Sequence, residues 1–141
     1  MTSSFNTQLI GQTEKTLNAI LDRQLAGVVS EPQWVALVLT AGSGGSDDLD
    51  QLTARVGNGL KVDEATATGL LEGLAAKGLV TVGDSGVTVT DSGRQLLDRV
   101  RAQVVEITRR LWGDLPSEDL EAAGRVLSIV LERAEAELSA C

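Results

Sequence analysis

The chain has 141 residues, 43% hydrophobic and 23% charged, with a formal net charge of −8. That is the composition of one folded domain with its own core, and it argues against disordered and fibrous classes. Histidine is absent and the single cysteine is Cys141, the last residue, which removes His/Cys metal sites, Ser-His-Asp and Cys-His triads, His-ligated haem and disulfide frameworks. No catalytic residue, metal ligand or cofactor is therefore expected, and the protein reads as a non-enzyme. Aromatic residues are limited to Phe5, Trp34 and Trp112, too few for stacking platforms on single-stranded nucleic acid. No apolar run is long enough to span a bilayer, and the start Met1-Thr2-Ser3-Ser4-Phe5 lacks the pattern of a secretory signal. A cytoplasmic location is expected.

From Phe5, apolar residues recur through Leu9, Ile10, Leu17, Ile20, Leu21 and Leu25 at spacings of three and four, which predicts a helix over 5–26 stopped by Gly27. Ser30-Glu31-Pro32-Gln33 reads as a cap and first turn of a second helix that carries Trp34, Val35, Leu37, Val38 and Leu39 and ends near Ala41. Gly42-Ser43-Gly44-Gly45-Ser46 is a connecting loop, and Ser46-Asp47-Asp48 caps a third helix whose buried stripe is Leu49, Leu52, Val56 and Leu60. Gly57-Asn58-Gly59 is expected to interrupt or loosen that helix. Asp63 caps a fourth helix over 64–77, with Ala67, Leu70, Leu71 and Leu74 on one face and Lys77-Gly78 at its end.

The period then shifts from 3.6 to 2. Leu79 to Val82, a tight Gly83-Asp84-Ser85-Gly86 turn and Val87 to Val89 predict a short β-hairpin. Thr90 or Asp91 caps a long fifth helix reaching about Leu111, and after a loop at 114–118 a sixth helix runs over 118–138 with an unusually rich apolar stripe from Leu120 to Leu138. The surplus apolar faces of the first and sixth helices are most simply covered by a second copy of the chain. The fold class is mainly α with a small β-hairpin: a winged helix-turn-helix over 31–90, with flanking dimerisation helices over 5–30 and 91–138, in one domain spanning 1–141.

Three stretches sharpen this: Glu31 to Leu37 (EPQWVAL), Leu70 to Val80 (LLEGLAAKGLV) and Val87 to Leu97 (VTVTDSGRQLL). With these segments in this order, the chain resembles the MarR family of bacterial transcription regulators. The likeness in architecture covers about 5–138. It implies an obligate homodimer joined by the first, fifth and sixth helices, paired winged domains on a palindromic site in double-stranded DNA, and a cavity for a small aromatic effector.

Within that frame, Thr66, Thr68 and Gly69 on the fourth helix are the candidate base and phosphate contacts, and Lys61 and Arg94 the candidate phosphate clamps, with Arg55 a third. A solvated surface serves equally well to explain each. Trp34 and Arg23 are the candidate effector contacts, against the alternatives of core packing for Trp34 and an exposed or Asp22/Glu31-paired Arg23. Trp112 reads as a dimer anchor. Arg99, Arg101, Arg109 and Arg110 alternate with acids and are expected to pair with them. The residues from Asp47 to Gln95 depart from the family's pattern: four basic side chains face eight acidic ones, a net of −4, where a DNA reader is expected to be basic. The wing is a minimal turn with Asp84 at its tip in place of the family's Asp-x-Arg element, and the turn before the fourth helix is longer by about one helical turn. Two functions follow: a DNA-binding regulator, or a winged-helix dimer that has lost DNA binding and acts through protein or small-molecule contacts.

Overall fold

A computed structural model describes residues 4–45, 47–84 and 86–140; Ser46, Ser85 and Cys141, each given a place in the sequence reading, lie outside them. The first helix, α1 (Thr7–Leu25), starts later than expected because Asn6 caps it, its Oδ1 accepting the Leu9 N–H at 2.8 Å. It stops where Ala26 and Gly27 both take positive φ, 53° and 79°. Phe5, ahead of the cap, is exposed.

α2 (Glu31–Ser43) opens with a full capping box: Ser30 Oγ accepts the Gln33 N–H and Gln33 Oε1 accepts the Ser30 N–H. It runs two residues past the expected end at Ala41. α3 (Leu49–Leu60) is capped by Asp48 in a second such box with Gln51.

Gly57-Asn58-Gly59 does not interrupt α3, which continues to Leu60. A Cβ on Gly57 would stand 3.1 Å from the Val62 carbonyl, so this glycine lets the turn that follows fold back closely on the helix. The extra length anticipated in the turn is thus taken up as helix. Only Lys61, Val62 and Asp63 separate α3 from α4 (Glu64–Ala76), with Lys61 in the left-handed region at φ 58°.

β1 (Val80–Gly83) and β2 (Gly86–Val89) pair antiparallel in the register Val80↔Val89 and Gly83↔Gly86. Val80 and Val87 turn into the core while the hydroxyls of Thr81 and Thr88 meet on the exposed face at 2.8 Å. The loop before α3 extends this pairing, since the Asp47 carbonyl accepts the Val87 N–H at 3.1 Å. α5 (Asp91–Trp112) follows at once: Thr90 Oγ1 accepts the Gly93 N–H and donates to the Gly78 carbonyl. α6 (Ser117–Ser139) begins at Pro116 without a side-chain cap.

Residues 1–104 and 105–141 make two compact units. The first holds α1 to α4, the hairpin and the larger part of α5 around a core that includes Leu25, Leu37, Leu52, Leu71, Leu74 and Val100, all with no exposed surface. In the second, none of the residues of α6 is buried, and Val126, Leu127, Ile129, Val130 and Leu131 are 37–58% exposed. Glu106 and Arg109 pair here at 3.0 Å within α5. Among the described residues no helix is long and apolar enough to cross a membrane.

Candidate nucleic-acid interface

α2, α3 and α4 pack on one another, and α4 presents its other face outward. Ala67, Leu71 and Leu74 are fully buried, while Glu64, Ala65, Thr66, Gly69 and Glu72 are exposed and Thr68 is half-buried. That division follows the helical period: the buried residues recur at steps of three and four, and the small and polar residues fill the opposite arc. Around Gly69 the space is open, with no heavy atom within 4 Å of where a Cβ would lie. A duplex backbone could approach α4 closely at this point.

The start of α4 is held by Asp63, whose carboxylate accepts the Thr66 N–H at 2.8 Å. Hydrogen bonds from the Thr66 hydroxyl and backbone hold the Asp63 carboxyl below its ordinary range. Thr66 is exposed, as expected.

The four cations between Asp47 and Gln95 differ in what they hold. Arg55 is ion-paired to Asp47, which binds the loop that supports β2 to α3. Lys61 folds its Nζ back onto the Asn58 carbonyl at 2.7 Å, a cationic cap on the negative end of α3. Lys77, at the end of α4, donates to the carbonyl of Val28. Arg94 stands exposed in the first turn of α5, and among the described residues its guanidinium has no hydrogen bond or ion pair. Lys61, Thr66, Thr68 and Gly69 thus lie on the turn into α4 and on α4 itself, with Arg94 just beyond the hairpin.

Beside this face, Asp50, Thr53, Ala54, Gly57, Asn58, Val62 and Glu64 line an open depression of about 400 Å³ between α3 and the start of α4. Its two carboxylates would repel a phosphate. Among the described residues no group of three or more acidic or cysteine side chains is placed to hold a metal ion.

The candidate effector contacts lie apart from this depression's lining. Trp34 is 8% exposed and belongs to the core cluster, while Arg23 is exposed in the last turn of α1. Close by, at the start of α2, Glu31 has its carboxyl raised above the ordinary range, first by partial burial and then by the negative charges of Glu14 and Asp22. Sequence reasoning did not single out Gln33, Gly73 or the Asp47–Arg55 pair. A capping box at Ser30/Gln33 was the one available signal among them.

No protein-family model and no curated protein matches this sequence. Solved structures do match over nearly its whole length. A MepR–DNA complex from S. aureus superposes with a TM-score of 0.75 at 19% identity, covering 94% of this chain and 99% of that one. A MarR protein from Peptoclostridium difficile gives 0.75 at 19% identity, over 97% and 95% of the two chains. CouR from Rhodococcus jostii RHA1, bound to p-coumaroyl-CoA, gives 0.73 at 19% identity over 86% and 88%. The order of helices around a two-stranded hairpin is that of a winged helix-turn-helix, and the chain shares this fold with these solved structures.

Proposed function

We propose that the protein is a homodimeric transcription regulator that reads double-stranded DNA through α4, with Arg94 and Lys61 on phosphates and Thr66, Thr68 and Gly69 at the groove. The observation that carries this reading is the outward face of α4: small or polar side chains, open space above Gly69, and, at the first turn of α5, an exposed Arg94 with no partner among the described residues. The DNA complex of MepR supports it by likeness of fold. Arg55, committed to Asp47, contributes only if that pair opens. The winged region is taken as 31–90 and the dimer helices as 5–30 and 91–138. Such a regulator works in the cytoplasm.

Dimerisation is supported in each unit separately. Phe5, Leu9 and Leu17 are exposed on and just before α1, and Val126, Leu127, Ile129, Val130 and Leu131 of α6 are exposed as well. A small aromatic acid or its thioester is the effector class proposed for Trp34 and Arg23, supported by the p-coumaroyl-CoA bound to CouR. Titration with such acids is expected to change Trp34 fluorescence and leave Trp112 unchanged. A response from neither tryptophan would remove this part.

The second reading, a winged-helix dimer without DNA binding, is favoured by the net −4 of the reading segment and by the engagement of three of its four cations. Selection of duplexes from a random library, followed by mobility shifts at low salt, separates the two. Binding by wild type that falls steeply with salt supports the regulator. No binding by wild type, together with non-specific binding by Glu72→Arg, establishes the alternative.

A further inference from the structure

The end of α4 is tied to the turn between α1 and α2 by contacts that helix packing alone does not require. Lys77 Nζ donates to the Val28 carbonyl at 2.6 Å and approaches Gln33 Oε1 at 3.4 Å. The Gln33 side chain is already fixed, since its Oε1 accepts the Ser30 N–H at 3.0 Å and closes the cap of α2. Its Nε2 lies 2.9 Å from where a Cβ on Gly73 would stand. α4 reaches this distance because residue 73 is glycine.

The turn that these groups grasp is short and sharply bent. Ala26 and Gly27 take positive φ in succession, Val28 N–H donates back to the Leu25 carbonyl at 3.0 Å, and Leu25 and Val29 are buried beneath it. α1 enters the first unit through this turn, so a displacement of α1 bears first on residues 26–30. Lys77 spends its charge on a carbonyl within the chain, which gives it a positioning role distinct from that of Arg94.

We propose that Lys77, Gln33 and Gly73 form a strap that fixes the tilt of α4 to the α1–α2 turn, so that movement of α1 is passed to the reading face. The strap rests on the DNA-reading proposal for its consequence, though not for its existence. With Asp63 holding one end of α4 and the strap the other, Thr66 to Gly69 lie between two fixed points.

Three variants and two measurements test it. Lys77→Met is expected to weaken binding to a duplex selected from a random library by about three- to tenfold, the loss of one charge-assisted hydrogen bond. The slope of log affinity against log salt should stay unchanged, because no phosphate contact is lost. Hydrogen exchange of the residue 28–33 amides should quicken in the same variant, and Lys77→Arg should restore both readings. Gly73→Ala adds a better helix former to α4, yet it should speed exchange at Ser30 and Gln33 by displacing the Gln33 amide. A salt slope lowered by about one unit in Lys77→Met would make Lys77 a phosphate contact and overturn the strap. Exchange changes confined to α4 in both variants would overturn it as well. Should wild type bind no duplex, the DNA-reading proposal falls alone, and the exchange measurements decide the strap: spread into residues 28–33 upholds it, confinement to α4 ends it.

Discussion

A cation adds to DNA affinity in proportion to how little it must give up on meeting a phosphate. Among the described residues Arg94 has no hydrogen bond or ion pair to break, whereas Lys61 must leave the Asn58 carbonyl and Arg55 must leave Asp47. Arg94→Ala is accordingly expected to lower the salt slope of DNA binding by about one unit, and Arg55→Ala to change it by much less. Mobility shifts across a salt series check both, and equal slopes for the two variants would contradict the ranking. Two carboxyls set a pH dependence of stability in opposite senses. The Asp63 carboxyl is lowered in the fold, so its contribution is present above the ordinary value of 3.8 and is lost as pH falls through its folded value. Asp63→Asn keeps a cap acceptor and should flatten that acid limb of melting temperature against pH. Glu31 is raised, so the fold is favoured below the ordinary value of 4.5 and that advantage is lost as pH rises through the folded value. Glu31→Gln should therefore stabilise the protein at pH 7 by about 0.5 kcal/mol or less, and not at all below about pH 4. What the sequence conveyed at this scale was the number of charges. Their partners were not legible, because Asp47 and Arg55, or Lys77 and Val28, meet only when loops and helices close on one another.

At the scale of elements the local chemistry was largely readable. Ser30, Asp63 and Thr90 each cap the helix assigned to them, and the change of period at Leu79 marks the hairpin. One error has its cause in packing. Gly57-Asn58-Gly59 reads as a break by intrinsic propensity, but Gly57 leaves room for the close return of Val62, and packing overrides the local cost. Gly93 is the counterpart at the junction of the wing and α5, where a Cβ would come within 2.2 Å of the Leu79 carbonyl. Since backbone rather than a flexible side chain stands in the way, Gly93→Ala should cost about 2–3 kcal/mol despite its helical position. Denaturant unfolding measures it. A variant as stable as wild type would show that the start of α5 can shift without cost.

For the whole molecule, the outward face of α6 poses the largest thermodynamic question. A helix of 23 residues with nothing buried, and with Val126, Leu127, Ile129, Val130 and Leu131 facing solvent, has little within the chain to hold it, because helical stability in proteins comes mainly from packing an apolar face. Exposed apolar surface of this extent is uncommon in a monomer. The sequence already showed the excess stripe, though not which residues of each unit stay uncovered. A second copy would cover the stripe, and a stable dimer typically buries about 1,200–2,000 Å² in total. Wild type should scatter light as a dimer at micromolar concentration, with a melting temperature that rises with concentration by mass action. Leu127→Asp and Val130→Asp place a charge on that face and should give unfolded or aggregated chains, because burying an unpaired carboxylate costs more than the lost contacts return. A folded wild-type monomer at micromolar concentration, or a Leu127→Asp, Val130→Asp double variant with wild-type melting and wild-type DNA affinity, would mean that α6 is not where the two copies join.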